Sequence, residues 1–136
     1  MTTTTAWPLR AGARRMPLLA VDGVETVPNG FVGRKRVTAD DPYLAGHFPT
    51  LAVYPGVFLI ESLQQMLELH LDGALGGVEL VGIESARFSR PALAGDEVLF
   101  ETTLTGERTR LTTDTTCVDA DRRRYARITA TWTCRS

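Results

Sequence analysis

Lysine is nearly missing from this 136-residue chain: Lys35 is the single lysine, and every other basic side chain is an arginine. Cysteine is scarce too. Cys117 and Cys134 have no metal-ligand spacing and no histidine near them in sequence, which excludes a zinc module and a disulfide scaffold. They read as small buried residues on strands. No apolar run reaches the roughly 18 residues that a membrane-spanning helix needs. The opening stretch MTTTTAWPLRAGARR lacks the apolar core of a signal peptide, so a cytosolic location is expected. Net charge is only −1, which argues against a general affinity for nucleic acid. No repeat and no linker interrupts the chain. Its length suits one domain, and 43% hydrophobic residues suit a packed core. We expect a flexible tail over residues 1–15 and one domain over 16–136.

What is present is a change of period. Met16 to Val24 is a short apolar run, a helical turn leading into a first strand. Asn29-Gly30 signals a hairpin turn, followed by a strand over Gly33 to Thr38 whose Arg34 and Arg36 face solvent. Asp40-Asp41-Pro42 marks a break. From Val57 to Leu71 apolar residues cover most of a helix circumference, and Asp72-Gly73 and Gly76-Gly77 end it. Strand patterns return over Glu79 to Phe88, Val98 to Leu104, Leu111 to Val118 and Tyr125 to Cys134. Turns are expected at Ser89 to Asp96, at Gly106-Glu107 and at Asp119 to Asp121. The last three strands make an antiparallel meander, so the class is α+β. A helix this apolar needs more cover than one sheet face gives, and self-association would supply it.

The stretch Asp41 to Gln65 carries the candidate chemistry. His47 precedes Pro49, Pro55 and Gly56; Glu61 follows one turn into the apolar helix. A histidine titrating near about 6.5 can act as a base at neutral pH, and a carboxyl in an apolar setting can be held as an acid. Singly, such a histidine reads as a satisfied structural residue, and such a glutamate as a partner for the helix dipole. At this joint spacing, with Pro55-Gly56-Val57 between them, an acid–base pair is the better reading. The free N–H groups at the helix start, around Gly56 and Val57, could receive an oxyanion. Gln65, one turn beyond Glu61, could orient its carboxyl. His70 reads as a dipole-complementing residue at the helix C-terminus, Asp96 as a turn residue, and Arg122 to Arg124 as a solvated turn.

GHFPTLAVYPGVFLIESLQQ resembles the signature of the beta-hydroxyacyl-acyl carrier protein dehydratases of the FabZ type. His47-Phe48-Pro49 matches the HFP of that family, Pro55-Gly56-Val57 its PGV, Glu61 its catalytic acid, and Gln65 its glutamine one turn later. MPLLAVDGV and ARFSRPALAGDEV resemble its flanking segments, while Ala52 stands where it usually has a third proline. The resemblance implies a hot-dog fold, a long helix wrapped by a curved antiparallel sheet. It implies dehydration of a 3-hydroxyacyl thioester to the trans-2-enoyl thioester, in fatty acid or polyketide-type synthesis, without metal or cofactor. His47 would remove the alpha proton and Glu61 would protonate the departing hydroxyl. Gly56, Val57, Gln65, Phe48 and Tyr54 would bind substrate. The partner would be acyl carrier protein bearing the chain on phosphopantetheine, met by Arg87 and Arg90. A homodimer, an oligomer of dimers or a heterodimer with a homologous subunit would form, with no nucleic acid or membrane partner. A hot-dog thioesterase and a non-catalytic carrier-binding subunit are the competing readings.

Overall fold

The computed structural model describes residues 20–38, 53–54 and 56–134. The expected N-terminal tail, His47 and Phe48 lie outside the described residues.

The chain order is β1 (Gly23–Val27), β2 (Gly30–Arg36), β3 (Val53–Tyr54), α1 (Gly56–Asp72), β4 (Val78–Phe88), β5 (Ala92–Leu93), β6 (Glu97–Glu107), β7 (Arg110–Val118) and β8 (Arg124–Cys134). Six strands form one antiparallel sheet in the order β1-β2-β6-β7-β8-β4, and β3 pairs with β5 in a two-stranded ribbon. With a single helix on this sheet among the described residues, the architecture is the expected α+β, hot-dog arrangement.

Alternation decides the faces. Along β8, Ala126, Ile128, Ala130 and Trp132 are buried, as their spacing predicts. Opposite them in register stand Cys117, Thr115, Thr113 and Leu111 of β7, also buried. The threonines among these are tolerated because each hydroxyl is bonded: Thr115 to Thr102 at 2.8 Å, and Thr113 accepting from the Trp132 indole at 2.8 Å. Leu59, Leu63, Met66 and Leu67 of α1 close the core from above. Before Asp72 no described side chain of α1 is exposed, which is what its all-round apolar pattern requires.

The hairpin at Asn29 forms as expected, with Asn29 at φ 65°. Its second strand begins earlier than expected, at Gly30. Gly106 does not turn: it stays in β6 opposite Leu111 with φ 97°, and the reversal falls at Arg108 and Thr109. Ser89 to Asp96 is not only a turn, since it contains β5.

Gly33 lets helix and sheet meet. A Cβ built there would lie 2.2 Å from Met66 Sδ and 2.8 Å from its Cγ. Gly33→Ala should therefore cost about 1–3 kcal/mol in urea unfolding through overpacking. In a Met66→Ala background the same change should cost less, because the blocking side chain is gone. Equal costs in the two backgrounds would show that the contact does not set the spacing.

Candidate active site

Glu61 is half-buried, a little over one turn into α1. Gln65, one turn further along and 1% exposed, donates from Nε2 to Glu61 Oε2 at 2.9 Å. Its other end accepts the Ala20 main-chain N–H at Oε1, 2.7 Å away. That contact fixes the amide orientation: a backbone N–H can only donate, so the oxygen of Gln65 faces Ala20 and its NH₂ faces the carboxylate. The acid is thereby tied to the chain just ahead of β1.

Gly56 opens the helix, with no acidic residue in the first turn. The ring of Phe88 lies against it: a Cβ at position 56 would sit 2.9 Å from Phe88 Cε1. Gly56 thus brings the end of β4 onto the helix N-terminus. Val57 stands in the first turn and Tyr54 in β3; their side chains lie outside the described residues.

The two candidate carrier contacts separate. Arg87 is exposed on β4, opposite Arg127. Arg90 is already engaged: it bonds Asp119 at 2.6 Å and the Arg123 carbonyl at 3.2 Å, and lies 3.8 Å above the Tyr125 ring. It acts within the fold first. His70 differs from expectation as well. It is half-buried, 5.2 Å from the Phe31 ring and 3.3 Å from the Thr26 hydroxyl, and burial lowers its pKa. It packs as a largely neutral ring, so it brings little positive charge to the helix end.

Sequence reasoning passed over Glu68. This carboxyl is 4% exposed on α1, two turns beyond Glu61. It accepts the Val78 N–H at 3.3 Å and the Gly76 N–H, while Gln64 donates to the Val78 carbonyl at 2.8 Å. Together they hold the start of β4 against the helix. A charge inside the otherwise apolar run Met66 to Leu69 was the available signal. Burial raises its pKa above the ordinary carboxylate value, with the nearby Glu61 charge adding to the rise.

A depression of about 380 Å³ lies elsewhere, lined by Val27, Pro28, Val32, Glu101, Asp114 and Arg127 among others. It includes no residue of α1. Its charges are paired, Asp114 with Arg127 and Glu101 with Arg122.

The single helix among the described residues and the strand order of the sheet define a hot-dog fold. The chain belongs to the ApeI-like dehydratase family, whose model, ApeI dehydratase, matches residues 25–126. It is 40% identical over 96 residues to the 3-hydroxyacyl-[acyl-carrier-protein] dehydratase FabZ of Thermotoga neapolitana, covering 69% of this chain and 70% of that one. Among solved structures it is similar in fold to the dehydratase heterocomplex ApeI:P from Xenorhabdus doucetiae, with a TM-score of 0.64, 17% identity, and coverage of 88% and 100% of the two chains. It is also similar to a hypothetical thioesterase with coenzyme A from Streptococcus pneumoniae, with a TM-score of 0.60, 17% identity and coverage of 83% and 87%. One fold thus carries both kinds of name, and the fold alone does not choose between them.

The raised pKa of Glu68 makes a stability prediction. A carboxyl whose folded pKa lies above its unfolded value binds its proton more tightly when folded. Its contribution is fullest at acid pH and is lost as pH rises through the raised value. Glu68→Gln should remove that slope, so urea midpoints of the variant should gain on wild type between acid and neutral pH. A constant difference between the two proteins would place the titration elsewhere.

Proposed function

We propose that this protein dehydrates a 3-hydroxyacyl thioester on acyl carrier protein to the trans-2-enoyl thioester, with His47 as base and Glu61 as acid. The observation that carries the site assignment is the Ala20–Gln65–Glu61 relay. It occupies Glu61 Oε2, and in this reading Oε1 meets the substrate hydroxyl. Membership of the dehydratase family supports the reaction type.

In this reading His47 takes the proton alpha to the thioester carbonyl. The electron pair left on carbon forms the double bond as the C–O bond to the hydroxyl breaks, and Glu61 protonates the leaving oxygen so that water departs. Charge that develops on the thioester oxygen meets the N–H groups of Gly56 and Val57, which have no partner within the helix. Phe48, Tyr54 and Val57 line the acyl chain. Arg87, exposed on β4, meets the acidic carrier, whereas Arg90 contributes by holding Tyr125 and Asp119.

The active unit is a dimer built on β4. This strand is an edge of the sheet, and Leu80, Val81, Ile83 and Phe88 along it are 40–52% exposed. A second copy or a homologous subunit covers them, and each site combines His47 of one chain with Glu61 of the other.

Mass spectrometry of a carrier-bound 3-hydroxyacyl panel should show loss of one water. Release of free acid would favour a thioesterase, and inertness with tight carrier binding would favour a partner subunit. His47→Ala and Glu61→Gln should each lower turnover about 10²–10⁴-fold without unfolding the protein. Mixed under subunit exchange, the two inactive homodimers should regain roughly a quarter of wild-type activity, since about half the dimers are mixed and each has one intact site. Background activity after proven exchange would put both residues in one chain.

A further inference from the structure

The segment that carries His47 lies between Val37, just past β2, and β3 of the two-stranded ribbon. Both ends are fastened to the same short stretch, Ala92 to Asp96. At the outgoing end the Val37 N–H donates to the Asp96 carbonyl at 2.8 Å, and the Gly95 N–H donates to the Val37 carbonyl at 2.7 Å. At the returning end Val53 pairs with Leu93 and Tyr54 with Ala92. Helix α1, with Glu61, starts two residues after Tyr54.

A ribbon of two residues per strand is too short to hold its own position. What holds this one is Asp96. Its side chain accepts the Leu93 N–H at 2.9 Å, while its own N–H donates to the Leu93 carbonyl at 2.9 Å, closing the turn from both sides. Burial and the neighbouring Asp96 carboxylate raise the pKa of the Tyr125 hydroxyl, so the two groups stand side by side. Tyr125 is 1% exposed in β8 and is covered by the Arg90 guanidinium, itself fixed by Asp119. The turn thus sits against the start of β8.

We propose that Asp96 is a positioning residue for the dehydration site: through Leu93 and Tyr125 it fixes the turn from which both ends of the His47 segment and the start of the Glu61 helix are set. This rests on the function proposed above. Asp96 touches no reacting atom in this reading. It acts on how each chain presents its His47 segment and its Glu61 helix to the shared sites, and rates are steeply sensitive to such placement.

The test measures kcat and KM on a carrier-bound 3-hydroxyacyl thioester, together with hydrogen exchange by mass spectrometry of the full chain. Asp96→Ala should lower kcat roughly 10- to 100-fold with KM changed less than about twofold. Peptides covering residues 38–56 should exchange faster while those of β6 to β8 stay as in wild type. Asp96→Asn keeps an oxygen for the Leu93 N–H and should recover much of the rate. Tyr125→Phe removes the hydroxyl beside Asp96 and should show a smaller loss in the same direction. If Asp96→Ala fails to fold, Tyr125→Phe carries the decision. Wild-type kcat and exchange in Asp96→Ala, or in Tyr125→Phe where Asp96→Ala does not fold, or exchange rising equally across the whole sheet, would overturn the proposal. A wild-type protein that dehydrates nothing would instead overturn the proposed function, and the exchange pattern would still decide the anchoring.

Discussion

A carboxyl group in an apolar helix has to be held by something, and here Gln65 holds it. The arrangement depends on the burial of that glutamine: in water its amide would exchange partners freely and fix nothing. At 1% exposure its partners include the Ala20 N–H and Glu61. Burial in turn depends on the close seating of α1 on β2, which Gly33 permits by leaving room for Met66. Fold and site are therefore coupled: a shift of the helix away from the sheet would open Gln65 to solvent and release the acid.

The same logic explains the rest of the polar content of α1. Gln64 and Glu68 face the α1–β4 connection and satisfy both the N–H and the carbonyl of Val78. Buried main-chain groups at a strand start must find partners, and water is not at hand. The helix thus uses one glutamine to hold its acid and the other to hold an edge strand. The cost is a second buried carboxyl, whose raised pKa records the desolvation.

Much of this was legible in the sequence where a period or a motif spoke. The helix, the hairpin at Asn29 and the meander of β6, β7 and β8 follow from spacing alone. Glu61 and Gln65 follow from the four-residue interval of one helical turn. What was not legible depended on partners distant in sequence. Asp96 reads as a turn residue because Tyr125, which stands beside it, lies 29 positions away. Arg90 reads as a free surface cation because Asp119 and Tyr125 are not visible in SRPAL. Gly106 reads as a turn because glycine favours one, yet its positive φ is accommodated inside β6. His70 sits near a helix end, but its burial against Phe31 outweighs the dipole.

β4 carries the remaining consequence. Its pattern Glu79 to Phe88 was readable as a strand but not as an edge, because its exposure does not alternate: Leu80 and Val81, adjacent at an irregularity of the ladder, are both open. An ordinary edge strand of a finished sheet would be polar on at least one face or guarded by charge. Irregular register at Val81 and at Glu84 breaks the ladder to β8 in two places, so the strand bends while its outer edge stays free. The Phe88 ring at the end of that strand touches Gly56, where the helix begins. Whatever covers β4 must therefore also border the helix N-terminus. In the proposed dimer, the chain that completes the sheet would stand beside the N–H groups proposed to receive the thioester oxygen.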